Sequence, residues 1–119
     1  MVYTHHYGDL NVDHRRTFEA VLTACRPVNC SVKKLLCFEV LSSTEWNAQT
    51  AANVFLPNYF VDVGKYLDKK IAALSEYTTE MREYPHPRSL EGVKILAKLR
   101  GMAVGADSAE AFELVREII

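Results

Sequence analysis

No apolar run in this chain approaches the ~20 residues that a membrane-spanning helix needs. Charge of one sign is not in excess either. Fourteen Lys and Arg stand against fifteen Asp and Glu, for a net charge of -1, and that leaves no electrostatic footprint for nucleic acid or an anionic membrane. The amino terminus lacks the basic-then-apolar order of a signal peptide, so a cytoplasmic protein is expected. The three cysteines, Cys25, Cys30 and Cys37, form neither a CxxC pair nor a zinc-ribbon spacing. Cys25 falls on the apolar face of a helix and Cys37 in an apolar strand, which predicts buried free thiols. Internal repeats, low-complexity segments and linkers are missing as well. A chain of 119 residues with 49% hydrophobic residues is one soluble α/β domain.

Reactive side chains, in contrast, crowd the amino terminus. The stretch THHYGDLNVDH, residues 4–14, holds three of the chain's four histidines, together with Asp9 and Asp13. Before it, MVYT reads as a strand. After it, Phe18, Val21, Leu22 and Cys25 recur at helical spacing from Asp13 until Pro27 stops the helix. LLCFEVL is a nearly continuous apolar run, as expected of a strand covered on both faces. A parallel strand–helix–strand unit follows from that order. Farther on, VFLPNYFVDV reads as a short edge strand broken by Pro57. A helix over 64–80 would place Leu67, Ile71, Leu74 and Tyr77 on its core face. Ser89 caps a further helix carrying Leu90, Val93, Leu96 and Leu99. The tail AEAFELVREII fits either a helix or a closing strand.

His14 sits in the first turn of its helix, just past the carboxyl end of a strand, where open α/β sheets bind ligands. The helix dipole disfavours a charged imidazole there and keeps the ring able to ligate a metal. Asp13, Asp9, His5 and His6 are near enough in sequence to share the pocket, although adjacent His5 and His6 point to opposite faces of an extended backbone. The competing interpretation is a capping Asp13 with solvated loop histidines. His86 and Arg88, held between prolines in PHPRS, suit a loop that meets a phosphate or sugar hydroxyl, or equally a surface turn. Glu45 and Trp46, on the polar loop after the second strand, could line a sugar pocket; Trp46 suits core packing equally. Arg100 and Glu110 suggest a structural ion pair, and Tyr59, Phe60 and Phe112 suggest core.

The blocks THHYGDLNVDHR, FEVLSSTEW, FLPNYFVDV, YPHPRSLEGV, LRGMAVG and AEAFELVR occur together and in this order. Taken together they resemble the carboxyl-terminal half of the PIG-L/LmbE family of zinc-dependent de-N-acetylases, over nearly the whole chain, with GDLNVDHR and PHPRS the specific parts. The resemblance implies a Rossmann-like sheet and one zinc ion. In the family, a histidine and an aspartate of an HPDDE-type motif ligate the metal, and the neighbouring aspartate is the proposed base. The last histidine of a later HxDH or HxNH motif is the third ligand. That motif reads NVDH here, so the resemblance gives His14 as the metal ligand and Asp13 as the carboxylate that orients it. Asn11 replaces the motif's first histidine, which leaves His5, or else His86, to polarise a substrate carbonyl. Asn11, Asp9, His86 and Arg88 are then the expected substrate contacts.

No HPDDE-like stretch occurs in the chain. The expectation is therefore a partial Rossmann-like parallel sheet with helices on its faces, residues 1–119 forming the carboxyl-terminal portion of the family fold without its N-terminal strands. The implied function is zinc-dependent removal of an N-acetyl group from an amino sugar or its conjugate, inactive in the isolated half. A complementary N-terminal half, or a second copy of the chain, would complete the site. The alternative is a non-catalytic sugar-binding or assembly module derived from the same fold.

Overall fold

The computed structural model describes residues 1–119. Along the chain run β1 (Val2–His5), α1 (Val12–Ala24), β2 (Lys34–Phe38), β3 (Tyr59–Asp62), α2 (Leu67–Ser75), α3 (Leu90–Met102) and β4 (Ala109–Glu117). No helix is long and apolar enough to cross a membrane. The strands form one sheet in the order β1-β2-β4-β3. By density of contacts the chain falls into two units, Met1–Tyr59 with Phe112–Ile119, and Phe60–Ala111.

In the first unit, β1 and β2 pair in parallel with Val2 opposite Leu35 and His5 opposite Phe38. A parallel pair requires a crossover between its strands, and α1 lies between them in the chain. Asn11 sets the start of α1: its side-chain oxygen accepts the Asp13 N–H at 3.0 Å, so the helix begins at Val12, just ahead of Asp13. At the other end the Cys25 N–H bonds the Val21 carbonyl at 2.8 Å, and Pro27 prevents continuation.

The sheet is mixed, where a parallel one is expected. AEAFELVRE is a strand, and it runs antiparallel to β2 with Leu36 opposite Leu114 and Phe38 opposite Phe112. A single register irregularity between Leu35 and Leu36 accommodates the pairing. Leu35, Leu36 and Cys37 are fully buried in succession, so β2 is covered on both faces, as its continuous apolar run requires. Phe55, Phe112 and Cys25 complete this core. Burial pushes the Cys37 thiol, with help from nearby Glu113, up to about 12. All three cysteines are free. β1 occupies a sheet edge: Thr4 is buried, whereas Tyr3 is about half exposed.

In the second unit, Ser89 caps α3 by accepting the Gly92 N–H at 2.9 Å. The buried stripe is Val93, Ala97 and Gly101, one step every four residues. It is narrower than the expected leucine face, and Leu99 stays exposed. The reason is close backbone approach. A Cβ on Gly101 would come within 2.7 Å of the Ser108 Cα, so only glycine fits there. α2 packs on α3 but buries no residue fully. It is also shorter than 64–80, because Tyr66 offers no side-chain cap and the chain tightens after Ser75 into bonds from Glu76 and Tyr77 to carbonyls three residues back. Tyr77 consequently lies outside the helix and is exposed. Glu110 pairs with Lys70 at 2.6 Å.

Candidate functional site

Gly8 and Asp9 turn the chain from the end of β1 toward α1. Asp9 is fully buried, and four donors are aimed at its carboxylate, while the Arg15 guanidinium bonds its backbone carbonyl at 2.7 Å. Oδ1 accepts the Asn11 N–H at 2.8 Å, the Ser43 hydroxyl, and Nδ1 of His14 at 3.1 Å. Oδ2 accepts the Thr44 hydroxyl at 2.8 Å. Burial alone would raise the Asp9 pKa, but the bonds from Ser43, Asn11 and Thr44, with the nearby His14, outweigh it and hold the carboxyl below its ordinary range. Asp9 is thus an anion, able only to accept. The proton between it and His14 therefore belongs to Nδ1 of the imidazole.

Ser43 and Thr44 are held for this task by their own turn. The Thr44 hydroxyl also accepts the Val40 N–H at 2.7 Å, while the Glu45 carboxylate accepts the Ser42 and Ser43 N–H groups at 2.5 and 3.4 Å. The resulting turn at the end of β2 stands over the turn at the end of β1, joined by Leu10 N–H to the Ser43 carbonyl at 3.3 Å. Ser43 is buried, with its hydroxyl committed to Asp9. It is 3.5 Å from the same nitrogen of His14 that faces Asp9, so the three residues do not form a nucleophilic triad.

His5 completes the cluster. Its ring stacks on His14 with centroids 4.0 Å apart and planes 21° off parallel. Burial, then the neighbouring imidazole, lowers the His5 pKa against the opposing pull of Asp9, so the ring is neutral at physiological pH. Its Nδ1 is buried without a hydrogen-bond partner. His6 points the opposite way, as alternation along β1 requires, and is fully buried against Glu113 at 2.8 Å.

The structure thus brings together His5, Asp9 and His14 from the expected set. Asp13 is exposed and makes no hydrogen bond to His14; Asp9 occupies the orienting position instead. Asn11 is exposed as the cap of α1, with its side chain turned to the Asp13 N–H. His86 and Arg88 belong to the second unit. There His86 Nδ1 accepts the Arg88 N–H at 3.0 Å, and the Arg88 guanidinium pairs with Glu80 at 2.8 Å. Trp46 is exposed, not core. The residues that sequence reasoning passed over are Ser43 and Thr44. Their signal was weak: two hydroxyls directly after an apolar strand, in a loop read only as polar.

Zinc fits this donor set at one position only. The Asp9–His14 arrangement is that of a histidine ligand whose second nitrogen is fixed by a carboxylate. No three His, Cys, Asp or Glu side chains gather closely enough to enclose an ion, and both oxygens of Asp9 are already engaged. Comparison with known proteins finds no family model that matches the chain and no significant match to a curated protein.

Proposed function

We propose that the first unit carries the histidine arm of a hydrolytic metal site, in a portion of a zinc-dependent N-deacetylase for amino sugars or their conjugates. The observation that supports this most directly is the Asp9–His14 hydrogen bond, with Asp9 itself held by Ser43, Thr44 and the Asn11 N–H. That network keeps the proton on Nδ1 of His14 and leaves the Nε2 lone pair for a ligand. His14 is the metal ligand in this proposal and Asp9 its positioning residue. His5, neutral and stacked on His14, is the candidate to donate a hydrogen bond to the substrate carbonyl. The parallel β1–α1–β2 unit, with the cluster at the carboxyl ends of its strands, is the part of the fold that agrees with a Rossmann-like sheet.

Two ligands and the base must come from residues outside this chain's own donor set, and the sequence resemblance assigns them to an HPDDE-type segment. The test is to supply such a segment as a co-expressed polypeptide, then measure zinc content and acetate release from an N-acetylglucosamine conjugate. Stoichiometric zinc and acetate release, both lost in His14→Ala, are expected. Normal zinc content in the reconstituted His14→Ala protein removes His14 from the site. The alternative, a non-catalytic sugar-binding module, is favoured by the exposed indole of Trp46 on the turn beside the cluster. It predicts sugar binding that is independent of metal and lost in Trp46→Ala.

A further inference from the structure

The other histidine of the pair, His6, has both ring nitrogens facing acceptors. Nδ1 lies 2.8 Å from Oε2 of Glu113 on β4, and Nε2 lies 2.8 Å from the carbonyl oxygen of Asn53. A carbonyl carries no proton, so Nε2 must donate. Glu113 uses its other oxygen to accept the Leu56 N–H at 2.7 Å. Two bare lone pairs do not sit 2.8 Å apart, so one proton lies between Nδ1 and Oε2, on the imidazole as the more basic of the two groups. Nδ1 must then donate as well. Only the imidazolium donates from both nitrogens.

We propose that His6 and Glu113 trap a proton in the core of the first unit and act as a pH-released latch on residues 47–56. That segment is fastened at Asn53 by His6, at Leu56 by Glu113, and at Asn47, whose amide donates to the Gly8 carbonyl at 2.8 Å. The first two fastenings are made by the two partners of the His6–Glu113 pair, so repulsion between Nδ1 and Oε2 once their proton leaves pulls on both. Gly8 lies directly beneath the segment, since a Cβ there would be 2.6 Å from both the Asn53 Cα and Nε2 of His6. Release of the latch therefore uncovers the turn that leads into Asp9.

Every titratable group facing the pair pulls in a known direction. Burial by itself opposes a charged His6, but the bonds to Glu113 and the Asn53 carbonyl, with the added field of Glu113 and Asp9, outweigh it and hold the imidazole above its ordinary range. Tyr7, tilted against His6 at 4.3 Å, is itself pushed up by burial, Glu113 and Cys37, and Cys37 is pushed up to about 12. Neither ionises in the range where the latch opens. A raised imidazole pKa contributes stability that is complete below the unfolded value of about 6.5 and is lost as pH rises through the folded one. Once the proton leaves, a lone pair on Nδ1 faces a carboxylate at hydrogen-bond distance, with both groups buried.

Amide hydrogen exchange at Leu56, corrected for the intrinsic pH dependence of exchange, reads the latch directly. Protection in the wild-type protein is expected to fall about tenfold or more between about pH 6 and pH 9. In Glu113→Gln the carboxamide donates to Nδ1 and accepts from Leu56 without an extra proton, so protection should stay level over that range. Equal protection at both pH values in the wild type, or the same alkaline loss in Glu113→Gln, overturns the proposal. The ring nitrogens of wild-type His6 give an answer that needs no variant: by ¹⁵N NMR at about pH 6, below the ordinary imidazole value of about 6.5, both should carry protons. A bare Nδ1 there overturns it equally.

Discussion

Asp9 and His14 are joined by a 3.1 Å hydrogen bond between Oδ1 and Nδ1, and donors from Asn11, Ser43 and Thr44 keep the Asp9 carboxylate in place for that contact. The direction of control runs from the strand ends to the helix. The β2 turn fixes Ser43 and Thr44, these fix Asp9, and Asp9 fixes the tautomer and orientation of the imidazole in the first turn of α1. In the proposed site, ligand chemistry at His14 would be decided by residues that never touch the ligand.

Ser43→Ala and Thr44→Val each remove one donor to a buried anion. Each should destabilise the protein by about 1–3 kcal/mol, as expected for hydrogen bonds to a charged group. Urea unfolding of the single variants and the double variant measures this. Because both donors serve one carboxylate, the double variant should depart from the sum of the singles.

Acid stability should depend on Asp9. Its folded pKa is lowered, so its contribution is present above the unfolded value of about 3.9 and disappears as pH falls through the folded value. Asp9→Asn should lose stability at neutral pH and show a flatter decline toward low pH than the wild type. Parallel pH profiles for the two proteins would show that Asp9 carries no such linkage.

His5 works over a different pH range. Its folded pKa is lowered, first by burial and then by His14, so stability falls as pH drops below about 6.5 toward the folded value. His5→Phe keeps a flat ring against His14 and removes the titration. Its melting temperature should therefore be less sensitive to pH below neutrality than that of the wild type.

Gly8 and Gly101 are among the glycines fixed by space and not by turn geometry. Gly8→Ala drives a methyl into the Asn53 backbone, and Gly101→Ala drives one into Ser108 and Ala106. Each should cost about 1–3 kcal/mol or more, since backbone on the opposing side cannot rotate away. Alanine at Gly105, where a Cβ meets nothing within 4 Å but φ is +73°, should cost about 1 kcal/mol through conformation alone. Thermal unfolding of the three variants ranks them.

The parts of this structure that were legible in the sequence are those with local causes. A continuous apolar run gave β2, helical spacing gave α1, and Ser89 gave the start of α3. The end of α2 was not legible, because no proline or glycine marks it and its last turn simply tightens. Nor was the antiparallel course of β4, since AEAFELVR has neither a clean alternation nor a clean helical period. His5 and His14 were found by their nearness in sequence. Ser43 and Thr44 lie 34 and 35 positions from Asp9, and Glu113 lies 107 from His6, so only the folded sheet could reveal those partners.

The most direct test of the central claim is the ¹⁵N spectrum of the His14 ring, with and without added zinc, in the wild type and Asp9→Asn. The expected result is a ring protonated at Nδ1, with zinc perturbing Nε2 while the Nδ1 proton stays, and a mixture of tautomers in Asp9→Asn. A ring protonated at Nε2, or zinc displacing the Nδ1 proton, would contradict it, because His14 would then present the wrong nitrogen to the metal.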